Sequence, residues 1–299
     1  MYTKRQITLA IVTKNRPEKL SRLLDSLVKQ RVKPIQIIIV DNDLNLSAKK
    51  IVSIYQHHLP IKYLFQEKQG VPFARNTALD TVTTQYLAFT DDDCILSKCW
   101  IKNAEKIINK FNGFSYFIGG SDVLNPSNNV ALAQHVNQRY WFLQKLHKKV
   151  LTTPFNVDTK NIIFKVSDLK ENKLNFDTDI SIGWFDSADT DLGFAMKEKG
   201  LRGIYVERLK LWHEETTSLR YFLKKGFYRG KLSKLLARKW DIEGEFVYLP
   251  FLNWVNYLKS TKGWKGEYIK FFSVSKRRSF ISFLFLKMYE RFFLGGYVD

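Results

Sequence analysis

The chain has 299 residues, 45% of them hydrophobic and 15% aromatic, which is ample for a buried core and excludes a disordered chain. Lysine and arginine outnumber aspartate and glutamate by 48 to 29, a net charge of +19, so the partner is expected to be anionic: nucleic acid, an anionic lipid surface or a phosphorylated substrate. Cys94 and Cys99 are the two cysteines, which excludes a disulfide framework and a Cys/His zinc site and points to a reducing, cytosolic setting.

In chain order, residues 7–13 ("ITLAIVT") are β-branched and apolar throughout, as suits a strand buried on both faces. Charged residues follow this run at once and no small-residue cleavage site does, so it reads as a strand and not as the core of a signal peptide. Asn15 is placed to cap the next helix, Pro17 suits its first turn, and Leu20, Leu23, Leu24, Leu27 and Val28 form one apolar stripe. A second buried strand, "IQIIIV" at 35–40, ends at Asp41-Asn42-Asp43. Strand, helix and strand at this spacing make a βαβ unit with parallel strands and a right-handed crossover. A helix over 47–56, a strand over 61–66, a helix over 72–82 and a strand over 86–90 follow, the last running into Asp91-Asp92-Asp93.

This alternation is one half of a doubly wound α/β sheet, which binds ligands at the carboxyl ends of its strands. Thr13, Asp41 to Asp43 and Asp91 to Asp93 all lie at such ends and are expected to share one crevice. Beyond residue 100 the pattern predicts a helix over 98–111, a Tyr/Trp-rich helix over 130–148, a strand over 161–166 and a helix over 187–200 stopped by Gly200. A strand then ends near His213, and from about 216 the chain reads as helical, aromatic and basic. No window reaches the ~18 consecutive apolar residues of a membrane-spanning helix.

Three adjacent carboxylates repel one another unless a cation compensates, and an oxygen-rich set at a strand end suits Mg²⁺ or Mn²⁺ bridging to a diphosphate. Taken alone, such a tripeptide is also an ordinary solvated turn. Asp189 and Asp191 stand near a helix start, where acidic residues are common, yet either carboxylate is also a candidate general base. His213 is a candidate metal ligand or a structural histidine. Arg75 is a candidate phosphate partner or a surface charge, and Gly70 permits close backbone approach. Neither a P-loop nor a GxGxxG occurs, which excludes those two nucleotide-binding chemistries.

Together the stretches "ITLAIVTKNRPEKLSRLLDSLVKQ", "PIQIIIVDND", "QGVPFARNTALD", "YLAFTDDD", "FNVDTKNIIFKV" and "WFDSADTDLGFAMKEKGLRGIYV" resemble, in order and spacing, the family 2 glycosyltransferases. The resemblance runs from about residue 5 to 215. It implies a GT-A fold, Rossmann-like, with a mostly parallel central sheet flanked by helices. It further implies a nucleotide-sugar half at about 1–95, an acceptor half at about 96–215, and a basic, aromatic helical extension over 216–299. The implied reaction moves a sugar from a nucleotide-diphospho-sugar to an acceptor hydroxyl with inversion, aided by Mn²⁺ or Mg²⁺.

By the same resemblance Thr13, and Asp41 or Asn42, would sit against the base and ribose, and Arg75 near the diphosphate. Asp91 and Asp93 would be the ends of the DxD motif, with Asp93 the direct metal ligand, Asp91 nearer the ribose and Asp92 near the sugar. His213 would be a further metal ligand, and Asn161 and Trp184 acceptor contacts. Asp189 would be the base. Ala188 stands before it where the family usually has glutamate, so Asp191 is the second candidate. "VDND" is followed by "LNLSA" where a serine-containing turn is commoner.

From 216 to 299 there are 17 Lys/Arg against 6 Asp/Glu, interleaved with aromatics. Such helices suit the interface of an anionic membrane, on which a lipid-linked or other glycan acceptor would be presented; the plain alternative is a solvated face on helices packed against the catalytic domain. The location expected is cytoplasmic, peripheral on the inner membrane face, serving a bacterial-type surface glycan such as lipopolysaccharide or capsule. Two other readings stand beside this one. A non-enzymatic nucleic-acid-binding protein is supported by charge and aromatics alone, without a recognisable motif, and a nucleotidyltransferase lacks a glycine-rich triphosphate loop.

Overall fold

The computed structural model describes residues 7–143, 146–147, 150–151, 157–242 and 276–299. Strand β1 (Ile7–Thr13), α1 (Pro17–Val28), β2 (Gln36–Asp41), α2 (Lys49–Tyr55), β3 (Ile61–Phe65), α3 (Val71–Thr81) and β4 (Tyr86–Asp91) alternate as the sequence pattern predicts. Parallel pairing of β1 with β2 and β4, and of β2 with β3, sets the order β3-β2-β1-β4. Leu9, Ala10, Ile11 and the run from Ile37 to Val40 are fully buried, as expected of strands enclosed on both faces. The register places Thr13 opposite Asp41 and Val12 opposite Asp91, so the carboxyl ends of three strands stop side by side.

The turn from β1 into α1 differs from the expected cap. Arg16 is the N-cap and makes no side-chain cap hydrogen bond, while Asn15 takes φ 51°, a left-handed conformation that asparagine tolerates better than most residues. Pro17 opens the helix, Leu20, Leu23, Leu24 and Leu27 face the core, and Val28 is left exposed at its end.

The chain continues through β5 (Cys94–Leu96), α4 (Trp100–Lys110), β6 (Tyr116–Val123), α5 (Asn129–Leu143) and the two-residue strands β7 (Leu146–His147) and β8 (Val150–Leu151). Then come β9 (Ile162–Lys165), α6 (Val166–Glu171), β10 (Ser181–Ile182), β11 (Phe185–Asp186), α7 (Ala188–Glu198), β12 (Gly203–His213), α8 (Leu219–Lys239) and α9 (Lys276–Val298). From β4 the sheet runs on through β9, β6, β12, β8 and β7, with β5 also pairing β12. Here β9 is antiparallel to β4 and β6, and β5 and β8 are antiparallel to β12. Helix α5 ends earlier than the expected 148. The strand expected to reach 166 gives way there to the short helix α6, whose first turn holds Asp168. Gly200, at φ 68°, follows the end of α7.

Two compact units result: Met1–Asp122 with Gln144–Trp184 and Ala188–His213, and Val123–Leu143 with Phe185–Ser187 and Glu214–Asp299. In the second, α5, α8 and α9 share a core of Val130, Leu132, Ala133, Phe222, Leu286 and Tyr289. Glycines let α8 and α9 touch closely, since a Cβ at Gly230 would lie 2.0 Å from the Phe293 carbonyl oxygen. The basic, aromatic stretch over 243–275 lies outside the described residues.

Candidate active site

The triple aspartate is assembled by three strands. Asp91 ends β4, Asp92 and Asp93 form the turn after it, and β5 then pairs with β12 so that Cys94 lies opposite His213. That register carries the His213 Nε2 to 3.1 Å from Asp93 Oδ1. Asp91, Asp93 and His213 each offer one ligand atom, all within 4.8 Å of one another. Two carboxylates and an imidazole on rigid strand ends fit a small divalent cation that keeps some of its own waters.

The other carboxylate contacts are supplied by the turn after β1. Thr13 Oγ1 donates to Asp92 Oδ2 at 2.7 Å. Arg16 Nη1 lies 3.1 Å from Asp92 Oδ1 and 3.2 Å from Asp93 Oδ2, and Lys19 Nζ lies 3.4 Å from that same Asp93 oxygen. Burial, and then the charge of Asp93, push the Asp92 carboxyl up to about 7 against the pull of Arg16. Asp91 is raised for the same two reasons, opposed by Arg75 and His213. Asp93 goes the other way: burial alone would raise it, but His213, Lys19 and Arg16 together hold it well below the carboxylate range. One member of the cluster is thus firmly ionised, and its charge adds to burial in raising its neighbours.

Asp41 and Asn42 are placed at the same edge but turned into the protein. Asp41 Oδ1 accepts from the Asp43 N–H, and Oδ2 from the Ala48 N–H and the Tyr63 hydroxyl, each at 3.0 Å. Asn42 Nδ2 donates to the Gln66 and Lys68 carbonyls at 2.7 and 2.8 Å, while its Oδ1 accepts from the Gly70 N–H at 2.9 Å. Asn42 therefore fixes the loop that launches α3, at a Gly70 whose φ of 140° disfavours other residues. Arg75 on that helix is buried, 5.5 Å from the Phe176 ring, and within electrostatic reach of Asp91.

Asn161 is completely enclosed. Its Oδ1 accepts from Trp100 Nε1 at 3.0 Å, and its Nδ2 donates to the Gly120 and Leu209 carbonyls at 2.9 and 2.8 Å. It ties α4, β6 and β12 together, which leaves its amide no side for a ligand. Trp184 is partly exposed, with Lys14 Nζ 4.5 Å above its ring, and Lys14 also donates to Gln69 at 2.6 Å. Asp189 stands half-buried in the first turn of α7 and accepts from the Thr190 N–H at 2.7 Å, while Asp191 is buried.

Four charged residues near the cluster carry no motif of their own. Arg16 and Lys19 reach it from α1. Asp158 and Lys160, paired with each other just before β9, act on it electrostatically: Asp158 helps raise Asp91, and Lys160 counters the burial that raises the Cys94 thiol. Arg16 is signalled by lying in the turn after a strand whose end is in the crevice; the other three have no such signal.

The family described as Glycosyl transferase family 2 matches residues 8–170. Among curated relatives, the succinoglycan biosynthesis protein ExoM of Rhizobium meliloti (strain 1021) is 34% identical over 100 residues, 32% of each chain. The pre-mycofactocin glycosyltransferase of Mycobacterium tuberculosis is 25% identical over 259 residues, 79% of this chain and 49% of the relative. The chain spans less than half the length of these two relatives. Among solved structures, the mannosyltransferase PcManGT from Pyrobaculum calidifontis, in complex with GDP-Man and Mn²⁺, superposes with a TM-score of 0.63 at 16% identity, covering 99% of this chain and 87% of its own. TarS of S. aureus with UDP-GlcNAc gives 0.58 at 15%, covering 98% and 89%. At such identities the likeness establishes the fold, which is GT-A.

Proposed function

The chain belongs to glycosyl transferase family 2, and on that premise we propose that it moves a sugar from a nucleotide-diphospho-sugar to an acceptor hydroxyl with inversion at the anomeric carbon. The observation that carries this reading is the convergence of Asp91, Asp93 and His213 at the carboxyl ends of the donor-side strands. Those three would hold Mn²⁺ or Mg²⁺, and the bound ion would offset the charge building on the departing diphosphate. Arg75 would pair with the diphosphate. Thr13 and Asp92, hydrogen-bonded to each other, and Asp41 and Asn42, turned into the fold, would shape the nucleoside pocket chiefly by fixing its walls. Trp184 would face the acceptor. Asp189 would take the proton from the attacking hydroxyl, with Asp191, more deeply buried, as the second candidate.

The names of similar proteins support the donor class: PcManGT is described with GDP-Man and Mn²⁺ and TarS with UDP-GlcNAc. A place in surface-glycan synthesis draws support from the succinoglycan relative. Nucleic-acid binding is not favoured, since the acidic cluster would repel phosphate without an intervening cation. The test is a screen of nucleotide-sugars for Mn²⁺-dependent hydrolysis and thermal stabilisation. Stabilisation by one nucleotide-sugar that disappears with chelator supports the reading; stabilisation by oligonucleotides and by no nucleotide-sugar refutes it.

The second unit would dock on anionic lipid, with α9 as the contact. No helix among the described residues is long and apolar enough to cross a membrane. On α9, Ser282, Leu286 and Tyr289 are buried while Phe280, Leu284, Met288 and Phe292 are between 39% and 47% exposed. At 100° per residue the second set lies on the face opposite the first. Arg291 is exposed beside it, giving the apolar face with flanking positive charge that suits an anionic interface.

A further inference from the structure

We propose that Lys14 is a positioning residue that seats the Trp184 indole beside the donor-side strand ends. The inference rests on reading Trp184 as an acceptor contact in the proposed transfer.

The backbone gives Trp184 little hold of its own. The residue follows Gly183 in the turn after β10, and Gly183 is exposed at φ 61°, where an added Cβ would meet nothing within 4 Å. The direction of the indole is therefore set by what touches its ring. Among the described residues the cation that does so is Lys14, whose Nζ lies 4.5 Å from the ring centroid. An ammonium over an indole face is attracted by the negative charge of the π-system.

Lys14 is itself held at both ends. Its backbone follows Thr13, whose hydroxyl is bonded to Asp92, so it leaves β1 beside the carboxylate cluster. Its Nζ donates to Gln69 Oε1 at 2.6 Å. Gln69 Nε2 donates to the Glu67 carbonyl at 3.1 Å, which orients the amide with its oxygen toward Lys14. Asn42 braces the residues on either side of Gln69, donating to the Lys68 carbonyl at 2.8 Å and accepting from the Gly70 N–H at 2.9 Å. Asp43 feels the same ammonium: its carboxyl is lowered chiefly by a hydrogen bond with Ser47, against burial, and the charge of Lys14 adds to that pull. A chain of contacts thus runs from the end of β2 through Asn42, Gln69 and Lys14 to the indole.

An indole seated there would cover the side from which an acceptor hydroxyl comes and keep water from it. Lys14 would touch no reacting group and would act through the ring. The test uses the full chain with Mn²⁺ and a panel of UDP-, GDP-, ADP- and dTDP-sugars, with water as the acceptor. Lys14→Met should raise kcat for hydrolysis about three- to fivefold, as the loss of one such contact predicts, and leave the donor KM within about twofold. Lys14→Arg keeps a cation over the ring and should restore kcat to within about twofold of the unaltered chain. Trp184→Leu should raise kcat at least as much, and adding Lys14→Met to it should change nothing further. In the chain carrying 5-fluorotryptophan, the ¹⁹F line that Trp184→Leu removes should shift in Lys14→Met and return in Lys14→Arg. This arm needs no nucleotide, so it decides the point even where hydrolysis is slow. A kcat that does not rise, effects that multiply in the double variant, or a ¹⁹F line that Lys14→Met leaves in place would overturn the positioning role while the transferase reading stands. If no sugar in the panel is hydrolysed and none stabilises the chain against heat, the transferase reading fails and the role of Lys14 with it.

Discussion

Replacing Asn161 with alanine should damage the fold and not a ligand contact. The side chain makes three buried hydrogen bonds, one accepted from Trp100 Nε1 and two donated to the carbonyls of Gly120 and Leu209. Truncation removes all three and leaves an indole N–H and two carbonyl oxygens enclosed without that partner. Each such loss costs about 1–2 kcal/mol, so a destabilisation of roughly 3–6 kcal/mol is expected. With a urea dependence of about 3 kcal/mol per molar for a unit of this size, the midpoint should fall by about 1–2 M. Trp100 itself reports the transition through its fluorescence. Asn161→Asp is the sharper variant, because it keeps the shape and the acceptor for Trp100 but points its second carboxylate oxygen at two carbonyls. A midpoint within about 0.2 M of the unaltered protein, together with loss of transfer, would show that Asn161 faces the acceptor and that this hydrogen-bond assignment is wrong.

Asp93→Asn should abolish Mn²⁺-dependent thermal stabilisation by the nucleotide-sugar, whereas Asp189→Asn should keep it and lower transfer by at least about a hundredfold; normal transfer by the second variant moves the base to Asp191. Mn²⁺ affinity should weaken as the pH falls, because burial and the charge of Asp93 raise the Asp91 carboxyl, so a proton competes with the ion for that ligand. For metal-free stability the sign is reversed: between about 4 and 7 the folded Asp92 holds a proton that the unfolded chain has lost, so stability declines as the pH rises. Asp92→Asn should accordingly raise the melting temperature at pH 8 relative to pH 5, and an equal shift at both would contradict this. Changing Leu284, Met288 and Phe292 together to serine should release the protein from vesicles containing phosphatidylserine without altering its melting temperature, and vesicle binding that survives the triple change would exclude α9 as the contact.

How much of this was legible in the sequence follows from the range of the interactions. The alternation up to Asp91 could be read because apolar runs such as "IQIIIV" and the leucine stripe of α1 are local patterns with a local cause, burial on one face or two. Their register needed no guess, since parallel strands entered from the same end must finish on the same edge. That is why Thr13, Asp41 and Asp91 were expected together and stand together. The break at Val166 was not legible, because β-branched residues leading into "VSDLKE" suit a strand until the chain meets the acidic first turn of α6.

Side-chain partners at long range were a different matter. Asp41 and Asn42 were expected to contact a ligand because they stand at a strand end in a ligand-binding sheet, and Asn161 because of the family resemblance. Nothing local distinguishes a partner in solution from a side chain or carbonyl 22–61 positions away in the same chain, and each of these has such a partner in the protein. The same limit hid Arg16, whose contacts lie 76 and 77 residues along the chain. Yet the triple aspartate did contain the clue that such a partner was required. Its charge had to be balanced by something, and a chain with 19 excess positive charges can do so from its own surface. Arg16 and Lys19, at the start of α1, are the part of that balance that the fold itself supplies.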